Sequence, residues 1–224
     1  MRNWLYLPLS AVVVAHAAPP GHVDIEYELR RNGSPIAEVH ERLEHGNGSY
    51  QLTETWRGKG FYRLLGKAKR VSRGNVTAEG LRPLEFSDER TGRDTARAWF
   101  DWQAGTVTMQ YKGERHSRPL PAHAQDRLSF LLALSFVPEG EQSIVFNIAD
   151  GKGGLSRHEY QFAGRERLKT PAGEFDAVKL LREKEDERAE IWLATQAGRL
   201  PVRVLVTEGD GTRYEQVVTR ISAP

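Results

Sequence analysis

The sequence feature that most constrains the fold is the run at residues 125–136, QDRLSFLLALSF. From Leu128 onward nearly every position is apolar, without the two-residue alternation of a strand. The run predicts one short helix at about 124–136, which Pro138 ends. Because a helix without a polar face must be covered on most sides, the remaining chain is expected to wrap around it.

On both sides of this run, apolar and polar residues alternate with the period of β-strands. Residues 23–29, VDIEYEL, alternate without a slip, and Asn32-Gly33 then supplies the two positive-φ positions of a type I′ hairpin turn. Similar segments, separated by turns that contain glycine, continue to residue 221. The pattern predicts a mainly β fold, a strongly curved antiparallel sheet of about 12 strands (a half-barrel or open barrel) around the central helix.

The first 17 residues have the layout of a secretory signal peptide. Arg2 precedes an apolar run at residues 4–15, and Ala15-His16-Ala17 forms a small-x-small cleavage site. The run is shorter than the roughly 20 residues that span a bilayer, although an uncleaved anchor is the alternative interpretation. We therefore expect a signal peptide at 1–17, a periplasmic location, no transmembrane span in the mature protein, and a single β-rich domain at 18–224.

Composition restricts both the partners and the means of stabilisation. Lys and Arg number 32 against 30 Asp and Glu, and this near balance argues against electrostatic binding of nucleic acid. The chain contains no cysteine, so no cysteine near the cleavage site can carry a lipid anchor. An exported chain of this size must then be stabilised by its core rather than by disulfides.

Several segments resemble a family of exported bacterial proteins. They are LGKAKRVSRG at 65–74, EGLRP at 79–83, FDW at 100–102, QDRLS at 125–129, TPAGEFD at 170–176, EIWL at 190–193 and LPVR at 200–203. As a set they resemble the domain of unknown function 3108 (DUF3108). The resemblance implies export and a β-rich fold, and it brings no catalytic residues with it. More loosely, the architecture is similar to the half-barrel lipoprotein carriers of the periplasm.

A polar cluster stands at the start of the predicted helix: His123, Gln125, Asp126 and Arg127, followed by Ser129. One interpretation is capping of the helix within a buried polar network. The alternative is a hydrolase that acts on an envelope polymer, with Asp126 orienting His123 and Ser129 as the nucleophile. No G-x-S-x-G elbow surrounds Ser129, so the sequence favours capping.

Other patterns of charged residues carry weaker signals. His40 and His45 lie on or beside one hairpin without the spacing of a zinc motif, so no metal and no cofactor are expected. Four carboxylates could in principle serve glycoside hydrolysis, although they read more simply as the polar face of a sheet: Asp88, Glu89, Asp94 and Asp101.

One basic cluster comprises Lys67, Lys69, Arg70 and Arg73. Strand alternation places Lys67 and Lys69 on one face of the sheet and Arg70 on the other, so the charge is divided. The cluster could meet anionic lipid headgroups, or it could protect an edge strand from pairing with another chain.

Aromatic residues provide the tentative ligand site: Trp56, Trp99, Trp102, Trp192 and Phe130. They could line a cavity for a lipid or another hydrophobic small molecule, or they could fill the core directly. The sequence therefore favours a periplasmic, non-enzymatic envelope protein. Its expected partner is a hydrophobic small molecule or an envelope protein on the concave side of the half-barrel, and the hydrolase is the alternative.

Overall fold

The computed structural model describes residues 21–137 and 141–222. The predicted signal peptide at 1–17 and Pro138 lie outside the described residues. The strands are β1 (His22–Arg31), β2 (Ser34–Gly46), β3 (Ser49–Gly58), β4 (Lys67–Thr77), β5 (Gly80–Arg90), β6 (Ala96–Asp101), β7 (Thr106–Tyr111), β8 (Glu114–Pro119), β9 (Ala124–Asp126), β10 (Ser143–Ala149), β11 (Leu155–Thr170), β12 (Gly173–Lys184), β13 (Glu187–Ala194), β14 (Pro201–Glu208) and β15 (Arg213–Ser222). The α-helix α1 is Ser129–Ala133, and 3₁₀ helices occur at Gly60–Leu65 and Leu134–Phe136.

All of these strands belong to one sheet, in the order 8-7-6-5-4-3-2-1-15-14-13-12-11-10-9. Neighbouring strands are antiparallel except for β9 and β10, which are parallel. The edge strand β9 also contacts β5, far from it in the strand order, so the sheet curls round on itself. It does not close into a barrel within the described residues, which confirms the predicted mainly β, open and strongly curved sheet.

The strand number exceeds the prediction of about 12 because two short strands give no alternating signal. β8, ERHSRP, is polar along its length and is mostly exposed on both faces. β9, AQD, is buried on both faces and joins directly to the apolar run, so its sequence resembles the start of the predicted helix. Short edge strands of this kind are held by pairing with their neighbours rather than by an amphipathic pattern.

The helix is shorter than predicted and begins later. Ala124 and Gln125 pair with Asn147 and Ile148 of β10, so the predicted start at 124 is wrong. α1 and the 3₁₀ helix at Leu134–Phe136 together cover the second half of the predicted span. Leu128 and Leu132 are buried, and the segment packs against β5 and β9. The apolar run therefore lies under the sheet, as its missing polar face required.

Side chains fill the inner face of the sheet. On β1, Val23, Ile25 and Tyr27 point inward and are buried, and the inward residues of the other strands join them in one continuous core. The Tyr27 hydroxyl donates a 2.8 Å hydrogen bond to the Pro201 carbonyl across the interior. A ligand space therefore has to be sought where two parts of the curled sheet meet rather than along the whole concave side.

Candidate functional site

A groove of about 910 Å³ lies at the seam where the β4–β5 turn approaches β9 and β10. We call it the seam groove. Its apolar lining comes from distant parts of the chain: Leu81, Trp102, Leu120, Val137, Ile144 and Phe146. The volume is within the range of about 300–1,000 Å³ that is usual for small-molecule sites.

Gln125 lies in the lining of the seam groove and is almost fully buried. Its Nε2 donates a 2.8 Å hydrogen bond to the Leu81 carbonyl, which joins β9 to β5. Its Oε1 is buried and has no hydrogen-bond partner among the described residues. A buried acceptor without a partner costs free energy of folding.

Trp102 forms one wall of the groove together with Arg82. The Arg82 guanidinium lies over the Trp102 ring at 4.6 Å from the ring centroid, and the indole Nε1 donates to the Pro83 carbonyl at 2.7 Å. Phe100 stacks on Trp102 at 6.4 Å between ring centroids. The ring is thus held in place, and a positive charge lies beside an apolar surface.

The rim of the groove carries charged and polar side chains, including Glu79, Glu141 and His123. His123 is exposed, has a φ of +54°, and makes no hydrogen bond within the part of the chain that the structure describes. The groove thus combines an apolar lining with a polar rim, which is the arrangement that accommodates an amphipathic molecule.

Asp126 fixes the entry into α1. Its Oδ1 accepts hydrogen bonds of 2.8 Å from the amides of both Leu128 and Ser129, and the Ser129 hydroxyl accepts one of 3.0 Å from the Asp126 amide. This reciprocal pattern is that of a helix cap. It gives the physical reason why the helix begins after Asp126.

The second Asp126 oxygen belongs to a polar network across the interior. Ser72 of β4 donates to Oδ2 at 2.6 Å, and the Tyr50 and Ser72 hydroxyls lie 2.9 Å apart. Burial raises the pKa of Asp126, while the hydrogen bonds from Ser72 and from the Ser129 and Leu128 amides oppose that rise. Ser129 is fully buried and its hydroxyl is engaged by a backbone amide, so Asp126 and Ser129 together hold the start of α1.

A second buried network crosses four neighbouring strands. Glu41 of β2 faces Glu54 of β3, which faces Arg70 of β4, which faces Asp88 of β5. Arg70 bonds Glu54 at 3.0 Å and Asp88 at 3.3 Å, and Arg90 bonds Asp88 at 2.9 Å. Burial acts to raise the pKa of Asp88, but the hydrogen bond from Arg90 and the charge of Arg70 outweigh it and lower the pKa. We call these five residues the ionic row.

Glu41 lies at the end of the ionic row, and no arginine of the described residues lies within ion-pair distance of its carboxyl group. Burial, followed by the negative charge of Glu54, raises the pKa of Glu41 to about 8. Gln216 of β15 donates the one side-chain hydrogen bond that Glu41 receives in the described structure, at 3.4 Å. At neutral pH the Glu41 carboxyl therefore retains its proton, which allows two acidic residues to face one another inside the sheet.

Replacing Glu41 with Gln should remove a pH dependence of stability. Between the ordinary Glu pKa and about pH 8 the unfolded wild-type chain has released this proton while the folded protein retains it. Its free energy of unfolding should therefore fall as pH rises, by up to about 1.4 kcal/mol per pH unit. Urea unfolding from pH 5 to pH 8 should show this slope in wild type and not in Glu41→Gln, which should be more stable by roughly 2–4 kcal/mol at pH 8.

The matched control for this measurement is Glu38→Gln. Glu38 lies on the outer face of the same strand, where its side chain is exposed and contacts Lys59. Its pH slope should equal that of wild type. Parallel slopes for wild type and Glu41→Gln would contradict the assignment of a protonated Glu41.

The comparisons with known proteins bear on this geometry. The model of a family described as a protein of unknown function (DUF3108) matches residues 24–218. The chain belongs to this family.

No curated protein matches its sequence. Solved structures also align with it, among them two at low identity. One is a candidate exported protein with a YmcC-like fold from Bacteroides fragilis, at 14% identity and a TM-score of 0.41. The other is a candidate lipoprotein from Parabacteroides distasonis, at 9% identity and a TM-score of 0.40. Each alignment covers 92% of this chain and 97% of the other.

The structure separates the five aromatic residues that the sequence grouped as a tentative ligand site. Trp102 lines the seam groove, whereas Trp56 lies against Arg70 in the interior at 5.2 Å. Phe130 makes an edge contact with His158, whose pKa is lowered to about 4 by burial and then by the charges of Arg182, Lys184 and Arg127.

The other two tryptophans lie on the outer face of the sheet. Trp192 is sandwiched between Lys179 and Arg203, at 4.8 Å and 4.6 Å, and contacts Glu166. Trp99 lies under Arg115 at 5.8 Å. Strand alternation places Trp192 opposite Leu193 and Trp99 opposite Phe100, although the long side chains around Trp192 leave it only 3% exposed. The five residues therefore do not form one pocket, but Trp99 and Trp102 line a second, smaller groove together.

The residues of the polar cluster and the candidate carboxylates also lie at separate places in the structure. Gln125 lines the seam groove, Asp126 caps α1, and Arg127 is exposed. Asp88 belongs to the ionic row, and Asp101 accepts hydrogen bonds from the amides of Gln103 and Ala104 in the β6–β7 turn. These positions do not form a pair of carboxylates that flanks an open cleft.

Two further findings concern metals and membranes. Within residues 21–137 and 141–222, no three His, Cys, Asp or Glu side chains come together as a metal site would need. None of the helices in these residues has the length and apolar character that crossing a bilayer would require.

The sequence did not point to Arg82, Leu81 or Val137 as lining residues. The EGLRP segment that contains Leu81 and Arg82 contributed only to the family resemblance. The signal available for them was an arginine and a leucine beside a Gly80 turn, which is too common to indicate a site. Their role depends on the approach of β9 and β10 to β5.

Proposed function

We propose that this protein is a non-enzymatic envelope protein of the periplasm that binds an amphipathic molecule with an apolar chain in the seam groove. The observation that carries the proposal is the groove of about 910 Å³, whose apolar lining includes Trp102, Phe146 and Leu120. The leader-like sequence at residues 1–17 supports export.

The lining of the groove defines the chemistry of the ligand. Burial of an acyl chain against the apolar residues is worth about 0.8 kcal/mol per methylene before ordering costs. Arg82 supplies a positive charge beside this surface. A headgroup with one negative charge, such as the carboxylate of a fatty acid, can pair with it.

Because side chains fill the broad concave side of the sheet, the proposed site lies at the seam. Only a ligand with one flexible chain, or a short segment of a partner, has the shape to enter a groove between two parts of one sheet. The occupant we propose is one acyl chain with its polar end at the rim, because Leu81, Ile144 and Phe146 of the lining are buried while Glu79 and Glu141 are exposed.

Filling the groove with a large side chain should abolish binding. Ala122 is exposed and lines the groove, so Ala122→Trp should fill it without disturbing the core. In a titration with a fluorescent long-chain fatty acid, the dissociation constant should rise about tenfold or more. Ala163→Trp, at an exposed position of β11 outside the groove lining, is the matched control and should bind as wild type does. Equal affinity in wild type and Ala122→Trp would exclude the groove as the site.

A further inference from the structure

The connection between β3 and β4 projects two large apolar side chains into solvent. It is the 3₁₀ helix at Gly60–Leu65, on which Phe61 is 90% exposed and Leu64 is 86% exposed. The other exposed large apolar side chains in the described structure, Leu84 and Phe162, reach only 39% and 46%. Neighbouring apolar side chains exposed to this extent are typical of a surface that binds something.

Close backbone contacts hold this tip in place. A Cβ on Gly58 would lie 2.1 Å from the Tyr62 carbonyl oxygen, and one on Gly66 would lie 2.4 Å from the Thr91 side chain. The Lys59 amide donates to the Ile36 carbonyl at 2.8 Å, and the Thr91 amide donates to the Lys67 carbonyl at 3.0 Å. The chain is therefore folded tightly at both ends of the tip, and its exposure is built into the fold.

Four basic side chains surround the tip: Arg57, Arg63, Lys67 and Lys69. All four are exposed, and none makes an ion pair in the described part of the chain. By contrast, the neighbouring Lys59 bonds Glu28 at 3.1 Å and Glu38 at 3.2 Å. Strand pairing sets Arg57 beside Lys67, and the burial pattern turns both away from the interior that Arg70 occupies. The tip is thus apolar with positive charge at its base, where the four basic side chains make no ion pair in the described structure although Glu38 and Glu89 lie opposite Arg57 and Lys69 in the strand register.

We propose that this tip docks on an anionic phospholipid surface, with Phe61 and Leu64 entering the interface and the four basic side chains meeting lipid phosphates. Positive charge around a small apolar protrusion complements such a surface, which attracts basic residues over a short range. A partner protein fits less well, because a stable protein interface buries about 800 Å² on each side and the tip offers two large apolar side chains.

The position of the tip gives the docked protein an orientation. β4 begins at Lys67 beside the tip and ends at Thr77, which lines the seam groove. At about 3.3 Å per residue, these two ends lie roughly 30 Å apart. The tip and the groove are therefore separate sites, and docking leaves the groove open to solvent.

Vesicle flotation of the purified protein tests the proposal. With vesicles of phosphatidylcholine and phosphatidylglycerol we expect binding that high salt weakens, and with phosphatidylcholine alone we expect much less. The double variant Phe61→Ser, Leu64→Ser should lower the partition coefficient about tenfold or more, and Lys67→Glu should lower it to a similar extent. The six side chains changed in the test and control variants are exposed, so each variant should remain folded, which thermal unfolding verifies.

Matched changes elsewhere serve as controls. The double variant Leu84→Ser, Phe162→Ser removes two exposed apolar side chains away from the tip, and Lys169→Glu reverses one exposed charge on β11. Both should partition as wild type does. The proposal is overturned if wild type ignores anionic vesicles, if the tip variants bind as wild type, or if the controls lose as much binding. Crosslinking of Phe61 to an envelope protein in place of vesicle binding would show that the tip is a protein interface.

Discussion

Replacing Arg70 with Ala should destabilise the protein by about 3–5 kcal/mol, because it leaves two buried carboxylates without their shared partner. Arg70 bonds both Glu54 and Asp88, and each of these acidic residues is only 3% exposed. Urea unfolding at pH 7 measures the effect. Arg70→Lys should lie between wild type and Arg70→Ala, since an ammonium retains the charge and loses the planar fork that reaches both partners.

Arg73→Ala is the control for this experiment. Arg73 is on the same strand, but its side chain is exposed and bonds Gln51 on the outer face. Its loss should cost no more than about 0.5 kcal/mol. A cost for Arg70→Ala below about 1 kcal/mol would contradict the view that the ionic row is a single buried network.

Replacing Asp126 with Ala should cost about 3 kcal/mol, because it removes the helix cap and a buried acceptor at once. The Leu128 and Ser129 amides and the Ser72 hydroxyl would each lose a partner in a region that water does not reach. Asp126→Asn keeps one carbonyl oxygen as an acceptor and should be less destabilising. Equilibrium unfolding and the circular dichroism of each variant provide the measurement.

Asp101→Ala tests whether burial accounts for the size of the loss of stability expected for Asp126→Ala. Asp101 also accepts hydrogen bonds from two amides, those of Gln103 and Ala104, but it does so in an exposed turn. Its removal should cost about 1 kcal/mol or less, since water replaces the lost acceptor. Similar costs for Asp101→Ala and Asp126→Ala would contradict the structural role assigned to the buried cap.

The local features of this fold were accessible from the sequence. The Asn32-Gly33 turn has the predicted positive φ angles, +48° and +82°, and β1 and β2 pair across it. The opposite orientation of Lys67 and Arg70 also follows from simple alternation, and Arg70 does point into the ionic row. These features depend on the two-residue period and on turn chemistry, both of which act over a few residues.

The sequence does contain a signal for the ionic row. On β3, Glu54 has the same parity as the apolar Tyr50, Leu52 and Trp56, which places it on their face. Glu41 likewise lies between Val39 and Leu43 on the buried face of β2. An acidic residue at an apolar position of each of two neighbouring strands indicates a buried pair that requires a positive partner.

The seam groove had no comparable signal. It requires contact between β5 and β9, which are about 40 residues apart, and β9 is a three-residue strand that pairs in parallel with β10. Neither the length nor the alternation of such a strand is informative. For the same reason the aromatic residues appeared to form one site, because composition does not show on which face of a curled sheet each ring lies.

The most direct test of the proposed function is native mass spectrometry of the protein purified without detergent from cells that express residues 1–224. The proposal predicts that wild type and Ala163→Trp carry one molecule of an amphipathic compound with an apolar chain, and that Ala122→Trp carries none. If wild type carries no such molecule and also fails to bind added long-chain fatty acid, the seam groove is not a ligand site and the proposed function is wrong.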